Sequence, residues 1–190
     1  MSKLLEEHDF EAAAHLINCD VAAIKAVAEV ESSGSGFLED GRAKILFEGH
    51  IFYKYTKGKY QTSHPDICYR SWTTKFYLGG VKEYSRLEKA EALNKTAARM
   101  SASYGKFQIM GFNFSLCGYT SVDGFFTAMQ TDEGLQLTAF IEYVKHVGLD
   151  KALRTHKWAD FAKGYNGPEY WKNNYDKKMA DAYKKHAKQQ

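Results

Sequence analysis

The sequence predicts a mainly α-helical protein that folds as a single domain over residues 1–190, with an irregular or short β segment near residues 37–84. A length of 190 residues fits one hydrophobic core of ordinary size. Helical spacing of apolar residues recurs along most of the chain, and only two prolines are present to interrupt helices. Aromatic residues make up 15% of the chain, which is typical of a large core or of a groove that stacks on flat ligands such as sugars or bases.

The N-terminal part of the chain predicts two helices separated by a turn. Helical spacing of apolar residues begins at Phe10 and ends before a turn at residues 18–20. Asp20 is a suitable N-cap for the second helix, because its short side chain can accept a bond from a free backbone N–H. The Ser- and Gly-rich residues 32–36 end that helix abruptly. The apolar stripe of the second helix consists of Ile24, Val27 and Ala28.

The rest of the chain predicts an irregular middle and a helical C-terminal half. Residues 43–47 fit either a short strand or a turn of helix, since periodicity does not distinguish them. A capping-box pattern at residues 85–88 predicts a helix from Ser85 to about Met100, before a Gly- and aromatic-rich segment at residues 101–118. Further helices are expected near residues 121–131, 133–147, 150–163 and 168–187.

Cysteine spacing and hydropathy argue against a metal-binding protein and against a membrane-spanning one. Cys19, Cys68 and Cys117 are widely spaced and show no metal-ligand spacing, so we expect three free thiols, no metal site and no cofactor. No apolar run approaches the roughly 20 residues that a transmembrane helix needs. The first residues also lack the apolar core of a secretory signal, so we expect no signal peptide.

The C-terminal end is basic although the whole chain carries a net charge of only +3. Residues 172–190 contain six lysines against two aspartates, a pattern that suits either an anionic partner or a solvated helix face. No nucleic-acid-binding motif accompanies it, so nucleic acid is not an expected partner. The apolar stripe expected to pack on the domain is Tyr175, Met179, Ala182 and Tyr183, and the lysines expected in water are Lys172, Lys177, Lys178, Lys184, Lys185 and Lys188.

Glu31 is a carboxylic acid in an apolar position. It follows Ile24 by seven residues and therefore continues the apolar stripe of the second helix, whereas Glu29 is expected to face water. Burial and the negative end of the helix both disfavour the charged form and raise the pKa of such a group. A general acid working near neutral pH needs this property. The alternative is a structural Glu31 that is buried in a salt bridge or caps a loop.

Two further segments combine small, aromatic and amide residues. SASYGKFQIMG, residues 101–111, lets a backbone approach a ligand closely and offers the Gln108 amide, or it is an ordinary buried turn with an aromatic plug. Residues 165–168, Tyr-Asn-Gly-Pro, fit a turn that opens a helix with proline near its first position.

Together and in this order, the three segments resemble goose-type lysozymes and soluble lytic transglycosylases. The stretches VAEVESSGSGFLEDGRAKILFEGHIFY, SASYGKFQIMGF and FAKGYNGPEY more closely resemble the phage endolysin family of N-acetylmuramidases. The resemblance covers about residues 10–183. It implies a lysozyme-like fold in its single-domain form, without cofactor and monomeric, that cuts peptidoglycan between N-acetylmuramic acid and N-acetylglucosamine.

The resemblance also assigns site residues. Glu31 occupies the catalytic position, and Glu48 in the Phe-Glu-x-His segment is the candidate second carboxylate, with Asp40 behind it. His50 is placed as structural support, and Gly49 stands where the family more often has Arg. The residues implied to line the sugar cleft are Ser101, Tyr104, Gly105, Phe107, Gln108, Ile109, Tyr165 and Asn166.

The mechanism and the setting are expectations that follow from the resemblance. Hydrolysis with two carboxyl groups is favoured. Lytic transglycosylase chemistry, in which the muramic C6 hydroxyl attacks and leaves a 1,6-anhydro end, is the alternative, and a non-catalytic wall-binding protein is a weaker one. The expected partners are peptidoglycan glycan strands and, through the basic C-terminal helix, an anionic outer-membrane surface. The chain is expected to wait in the host cytoplasm and to reach the periplasmic wall once the membrane is permeabilised.

Overall fold

The structure is a computed structural model that describes residues 3–32 and 34–188. Within these ranges, α-helices surround a small sheet of three short strands. The helices are α1 Glu7–Ile17, α2 Val21–Glu31, α3 Gly49–Thr56, α4 Glu83–Met100, α5 Val122–Thr131, α6 Glu133–His146, α7 Asp150–Arg154, α8 Trp158–Asn166 and α9 Tyr175–Ala187. The strands are β1 Ile45–Phe47, β2 Ala102–Tyr104 and β3 Ile109–Met110, and 3₁₀ turns cover Gly80–Lys82, Gly111–Asn113 and Tyr170–Asn173.

The two N-terminal helices form where the sequence predicts them. Asn18 ends α1 in the left-handed conformation with a φ of 51°. The carboxylate of Asp20 then caps α2 by accepting the backbone N–H of Ala23 at 2.8 Å. Helix α2 ends at Glu31 as predicted from the Ser- and Gly-rich residues that follow, of which Ser33 lies outside the described residues.

The sheet settles the alternatives for residues 43–47 and extends beyond the expected β segment. Residues 45–47 form β1, which runs antiparallel to β2 with Ile45 opposite Tyr104. Strand β3 pairs with β2 across a tight turn, so two of the three strands follow residue 84. Strand β1 confirms the short β segment predicted near residues 37–84. The same stretch of chain also contains helix α3, which the sequence pattern did not predict.

Other helix boundaries were predicted wrongly because the chain breaks its helices with local turns. Helix α4 begins at Glu83, and the Ser85 hydroxyl donates to the carbonyl of Lys82 rather than capping the helix. The helix expected at 150–163 is split between α7 and α8 by His156, which adopts a φ of 52°. The helix expected at 168–187 is likewise interrupted at Asn174, also with a φ of 52°.

The core is rich in aromatic residues, and the C-terminal helix α9 packs against it. Helix α9 packs on α2 and α8, with Met179 and Ala182 buried as the stripe predicts. Cys19, Cys68 and Cys117 are free thiols. No helix in the described ranges is both long and apolar enough to cross a membrane. Fully buried aromatic residues of the core include Phe47, Phe52, Tyr104, Phe125, Phe140 and Phe161.

Candidate active site

Helix α2 carries two carboxylates with opposite surroundings. The stripe residues Ile24, Val27 and Ala28 are buried in the core, and Glu31 follows them at the end of the helix, half-buried. Glu29 is exposed and pairs with Lys185 of α9, its Oε2 lying 3.0 Å from Nζ. The predicted facing of these two residues is therefore confirmed.

The carboxyl group of Glu31 is poorly solvated and only half satisfied. Its Oε2 accepts the side-chain amide of Asn166 at 3.0 Å, while its buried Oε1 has no hydrogen-bond partner among the described residues. Burial raises the pKa of Glu31 to about 7, and the bond from Asn166 acts in the opposite direction. The group can therefore hold a proton near neutral pH and offer it from the unpartnered oxygen.

Asn166 and Tyr165 reach Glu31 from the last turn of α8. The prediction that residues 165–168 form a turn opening a helix is wrong: Asn166 is the last residue of α8, and Gly167 with a φ of 86° leads the chain away. The Tyr165 ring stacks on Phe161 of the same helix at 5.8 Å between centroids and meets Phe140 of α6 edge-on. Burial and the neighbouring Glu31 raise the pKa of Tyr165 above its ordinary value, so its hydroxyl stays protonated.

An open groove of about 330 Å³ is lined in part by Tyr165, whereas Glu31 and Asn166 do not belong to its lining. Its walls come from the β2–β3 turn and β3, from α6 and from the end of α8. Four of the residues implied by the resemblance line it, namely Phe107, Gln108, Ile109 and Tyr165, together with Met110, Asn113 and Tyr143.

The turn between β2 and β3 is held by the Gln108 side chain. The Gln108 backbone adopts the left-handed region with a φ of 49°, an unusual conformation for a residue other than glycine. Its amide nitrogen donates to the carbonyls of Gly105 at 2.8 Å and Lys44 at 3.2 Å, and its oxygen accepts the Ser103 hydroxyl at 2.8 Å. Gln108 therefore shapes the groove wall with an amide already engaged within the protein.

The loop that follows Glu31 is tied to the same turn. Lys106 donates from Nζ to the carbonyl of Gly34 at 2.7 Å and lies 3.2 Å from the buried carboxylate of Glu133. Glu133 also accepts the backbone N–H of Gly36 at 2.6 Å. These bonds fix the end of α2 relative to the groove, so the position of Glu31 does not depend on α2 alone.

Glu48 belongs to a separate cluster at the other end of β1. Its backbone N–H donates to Ser101 at 2.8 Å and prolongs the β1–β2 ladder. The Tyr77 hydroxyl lies 2.7 and 2.8 Å from the two oxygens of its carboxylate, and Nδ1 of His50 lies 3.2 Å from Oε2. By contrast, Asp40 is exposed and engaged by Arg42 at 2.7 Å.

A family model for N-acetylmuramidases matches residues 20–187. The chain belongs to the N-acetylmuramidase family. It is therefore a glycoside hydrolase of peptidoglycan, as the resemblance implied. The muramidase fold also matches a solved structure, the crystal structure of Burkholderia AP3 phage endolysin, with a TM-score of 0.92, 38% sequence identity, and coverage of 99% of this chain and 73% of that chain. No curated protein sequence matches the chain significantly.

Ser101, Tyr104 and Gly105 of the muramidase do not line the groove. The Ser101 hydroxyl is buried and donates to Ala97, and the buried Tyr104 hydroxyl donates to Arg99. A side chain at Gly105 would collide with the side chain of Gln136, so glycine at this position allows the β2–β3 turn to pack closely on α6. These three residues support the turn from inside the protein, and their contact with sugar stays a prediction.

Two groove residues, Asn113 and Tyr143, were not found from the sequence, and Met110 was expected only as part of the segment whose backbone approaches a ligand. Met110 could have been assigned to the groove because it lies inside the SASYGKFQIMG segment, and Tyr143 because it lies three residues after Phe140 on the same face of α6. No feature of the sequence pointed to Asn113. Within the described ranges, no group of three or more His, Cys, Asp or Glu side chains is arranged to hold a metal ion.

Proposed function

We propose that Glu31 is the general acid of this muramidase. The observation that carries the proposal is a half-buried carboxyl group whose pKa is raised to about 7 and whose Oε1 is unpartnered. Its neighbour Tyr165 lines the groove. Glu31 gives its proton to the oxygen of the scissile glycosidic bond as that bond breaks. Asn166 holds the other carboxyl oxygen, which leaves Oε1 as the atom that carries the proton.

The glycan strand occupies the groove beside Glu31 in this proposal. Phe107, Ile109 and Tyr165 supply apolar and aromatic edges against which a pyranose ring can pack. Gln108 supports the wall, and Asn166 orients the acid. Five of the eight residues that the resemblance places in the sugar cleft therefore line the groove or contact Glu31, namely Phe107, Gln108, Ile109, Tyr165 and Asn166.

Glu48 is the second carboxylate in the proposal. As C1 of the muramic sugar acquires positive charge, a carboxylate is needed either to attack it or to activate water. The low exposure of the Glu48 side chain, 13%, and its hydrogen bond from Tyr77 give it one defined orientation. Asp40 is a weaker candidate, since Arg42 engages its carboxylate at the surface.

Transglycosylase chemistry is the second candidate, and one observation favours it. Glu31 and Glu48 have no hydrogen-bond partner in common in the described part of the chain, so Glu31 is held independently of Glu48. A reaction that uses Glu31 as its only carboxyl group agrees with this. Mass spectrometry of digested peptidoglycan separates the two reactions. Reducing N-acetylmuramic ends are expected, 1,6-anhydro ends would assign the transglycosylase reaction, and the absence of released fragments would leave only wall binding.

The biological setting we propose is phage lysis. The matched crystal structure is that of a phage endolysin. The enzyme, acting as a monomer, would remain in the host cytoplasm until the membrane is permeabilised and then cut the periplasmic wall. Exposed lysines of the C-terminal helix, among them Lys177 and Lys178, would bring it to anionic wall polymer or to the outer-membrane surface.

A further inference from the structure

The segment between α3 and α4, residues 57–82, crosses the end of β1 and places a tyrosine on Glu48. Tyr77 lies near the end of this segment, 29 positions after Glu48, and its hydroxyl is within 2.8 Å of both carboxylate oxygens. Burial and the adjacent Glu48 raise the pKa of Tyr77 above its ordinary value. The hydroxyl therefore keeps its proton and acts as the donor.

A buried ion pair fixes both ends of this contact. Glu83 and Arg86 lie 2.8 Å apart within the core at the start of α4. Glu83 accepts the backbone N–H of Phe47, the residue before Glu48, at 3.2 Å, and Arg86 donates to the Phe47 carbonyl at 2.8 Å. Glu83 also accepts the backbone N–H of Leu78, the residue after Tyr77, at 2.6 Å. One rigid pair thus holds the neighbours of both Glu48 and Tyr77.

The same segment is seated too closely for a side chain at position 49. A Cβ placed on Gly49 would lie 2.3 Å from the Tyr69 ring and 2.8 Å from the carbonyl of Ile67. Glycine at this position, where the resemblance leads one to expect Arg, therefore permits the approach of the segment. The close packing and the buried pair are independent signs that the segment is held in place.

The Tyr77 ring lies beside the buried ion pair. The guanidinium of Arg86 lies 5.7 Å from the centroid of the Tyr77 ring. The ring is thus placed beside Arg86, and the hydroxyl is held by its hydrogen bond to Glu48.

We infer that Tyr77 is a positioning residue for Glu48, delivered by residues 57–82. This inference rests on the proposed role of Glu48 as the second carboxylate. A hydrogen bond to an ionised acceptor is stronger than one between neutral groups, so the Tyr77 hydroxyl holds the carboxylate in one orientation toward the sugar. Misplacing a reacting group by about 1 Å can cost about 10²-fold in rate.

The test compares two tyrosines of the same segment. Tyr77→Phe removes the hydroxyl and keeps the ring over Arg86. Tyr60→Phe is the matched control, since the Tyr60 hydroxyl donates to the backbone carbonyl of Leu93 at 3.0 Å and makes no contact with Glu48. On soluble peptidoglycan fragments we expect Tyr77→Phe to lower kcat by about 10- to 100-fold with KM nearly unchanged. Tyr60→Phe should keep kcat, and both variants should show similar small changes in melting temperature.

The double variant decides whether Tyr77 acts through Glu48. If it does, adding Tyr77→Phe to Glu48→Gln lowers kcat no further. An unchanged kcat in Tyr77→Phe, alongside a large loss in Glu48→Gln, would overturn the positioning inference and leave the proposed role of Glu48 standing. Full activity in Glu48→Gln would overturn the proposed role and, with it, the inference about Tyr77. A kcat loss of equal size in Tyr60→Phe would assign Tyr77 to the stability of the segment alone and also overturn the inference.

Discussion

The two candidate carboxylates are held in opposite ways. Glu31 ends a helix, loses solvation to its surroundings and receives one amide hydrogen bond, from Asn166. Glu48 stands at the N-cap position of α3 without a side-chain cap bond, and both of its carboxylate oxygens lie within reach of the Tyr77 hydroxyl, with His50 beside them. Desolvation raises the pKa of Glu31 and favours a protonated acid, whereas the single proton of the Tyr77 hydroxyl, shared between the two oxygens of Glu48, orients that carboxylate. The difference suggests that the two groups divide the acid and the carboxylate roles between them.

The largest expected effect separates Glu31 from its neighbour on the same helix. Glu31→Gln keeps the shape and removes the acid, so we expect muramidase activity to fall by about 10²- to 10⁴-fold. Glu29→Gln is the matched control and should keep nearly full activity, because Glu29 is exposed and pairs with Lys185. Release of soluble fragments from purified peptidoglycan measures both. High activity in Glu31→Gln with loss in Glu29→Gln would reverse the assignment.

The second largest effect is expected at Glu48, the other carboxylate of the comparison. Glu48→Gln should reduce turnover by more than about tenfold while binding to the wall changes little, because an amide can neither attack nor accept a proton. Turnover and sedimentation with insoluble wall measure the two properties separately. A smaller loss would favour the reaction that uses Glu31 alone, and Asp40→Asn tests the remaining carboxylate in the same assay.

The raised pKa of Glu31 also predicts how stability depends on pH. The unfolded chain releases this proton near pH 4.5 and the folded protein near pH 7, so the folded protein binds more protons in between and loses stability as pH rises through that interval. Replacing Glu31 by Gln removes this loss, so the variant should gain up to about 3 kcal/mol relative to the wild type between pH 4 and pH 8. Urea unfolding at the two pH values measures the difference.

Glu29→Gln provides the opposite sign in the same experiment. The hydrogen bond from Lys185 lowers the pKa of Glu29, so the stability that Glu29 contributes is present above its unfolded pKa and is lost as pH falls through its folded pKa. This variant should become slightly less stable than the wild type as pH rises. Equal pH dependence in the two variants would contradict the difference in burial on which the comparison depends.

The smallest expected effect concerns the basic C-terminal helix. Lys185 pairs with Glu29 and Lys184 with Asp181, whereas Lys177, Lys178 and Lys188 contact no carboxylate within the described residues. Changing these last three lysines to Gln should slow whole-wall digestion by about two- to tenfold at low salt. The difference should shrink as salt rises, because charges act over only about 8 Å at physiological ionic strength.

Neutral soluble oligosaccharides provide the control for this effect. Their digestion should be unchanged, since the lysines attract the polymer and do not contact the reacting atoms. An equal loss on both substrates would show that α9 serves the fold alone, in keeping with its packing on α2 through Met179 and Ala182.

The sequence by itself determined most helices and the facing of Glu31. Helical periodicity and a local cap at Asp20 reveal which side of an element is apolar, so the contrast between Glu31 and Glu29 was readable from spacing alone. The breaks at His156 and Asn174 were not readable, because each depends on one residue adopting a left-handed conformation. Nor did local pattern reveal that Ser101 and Tyr104 are buried beneath the turn they support.

Only the tertiary structure decided what each carboxylate contacts. Asn166 meets Glu31 from 135 positions away, and Tyr77 reaches Glu48 across 29 positions because Glu83 and Arg86 hold the two backbones together. Such contacts depend on how whole elements pack, and the spacing of residues within one element carries no information about them. The sequence therefore identified Glu31 as an unusual acid from its own helix, and the packing of distant segments supplied its hydrogen-bond donor and the environment of Glu48.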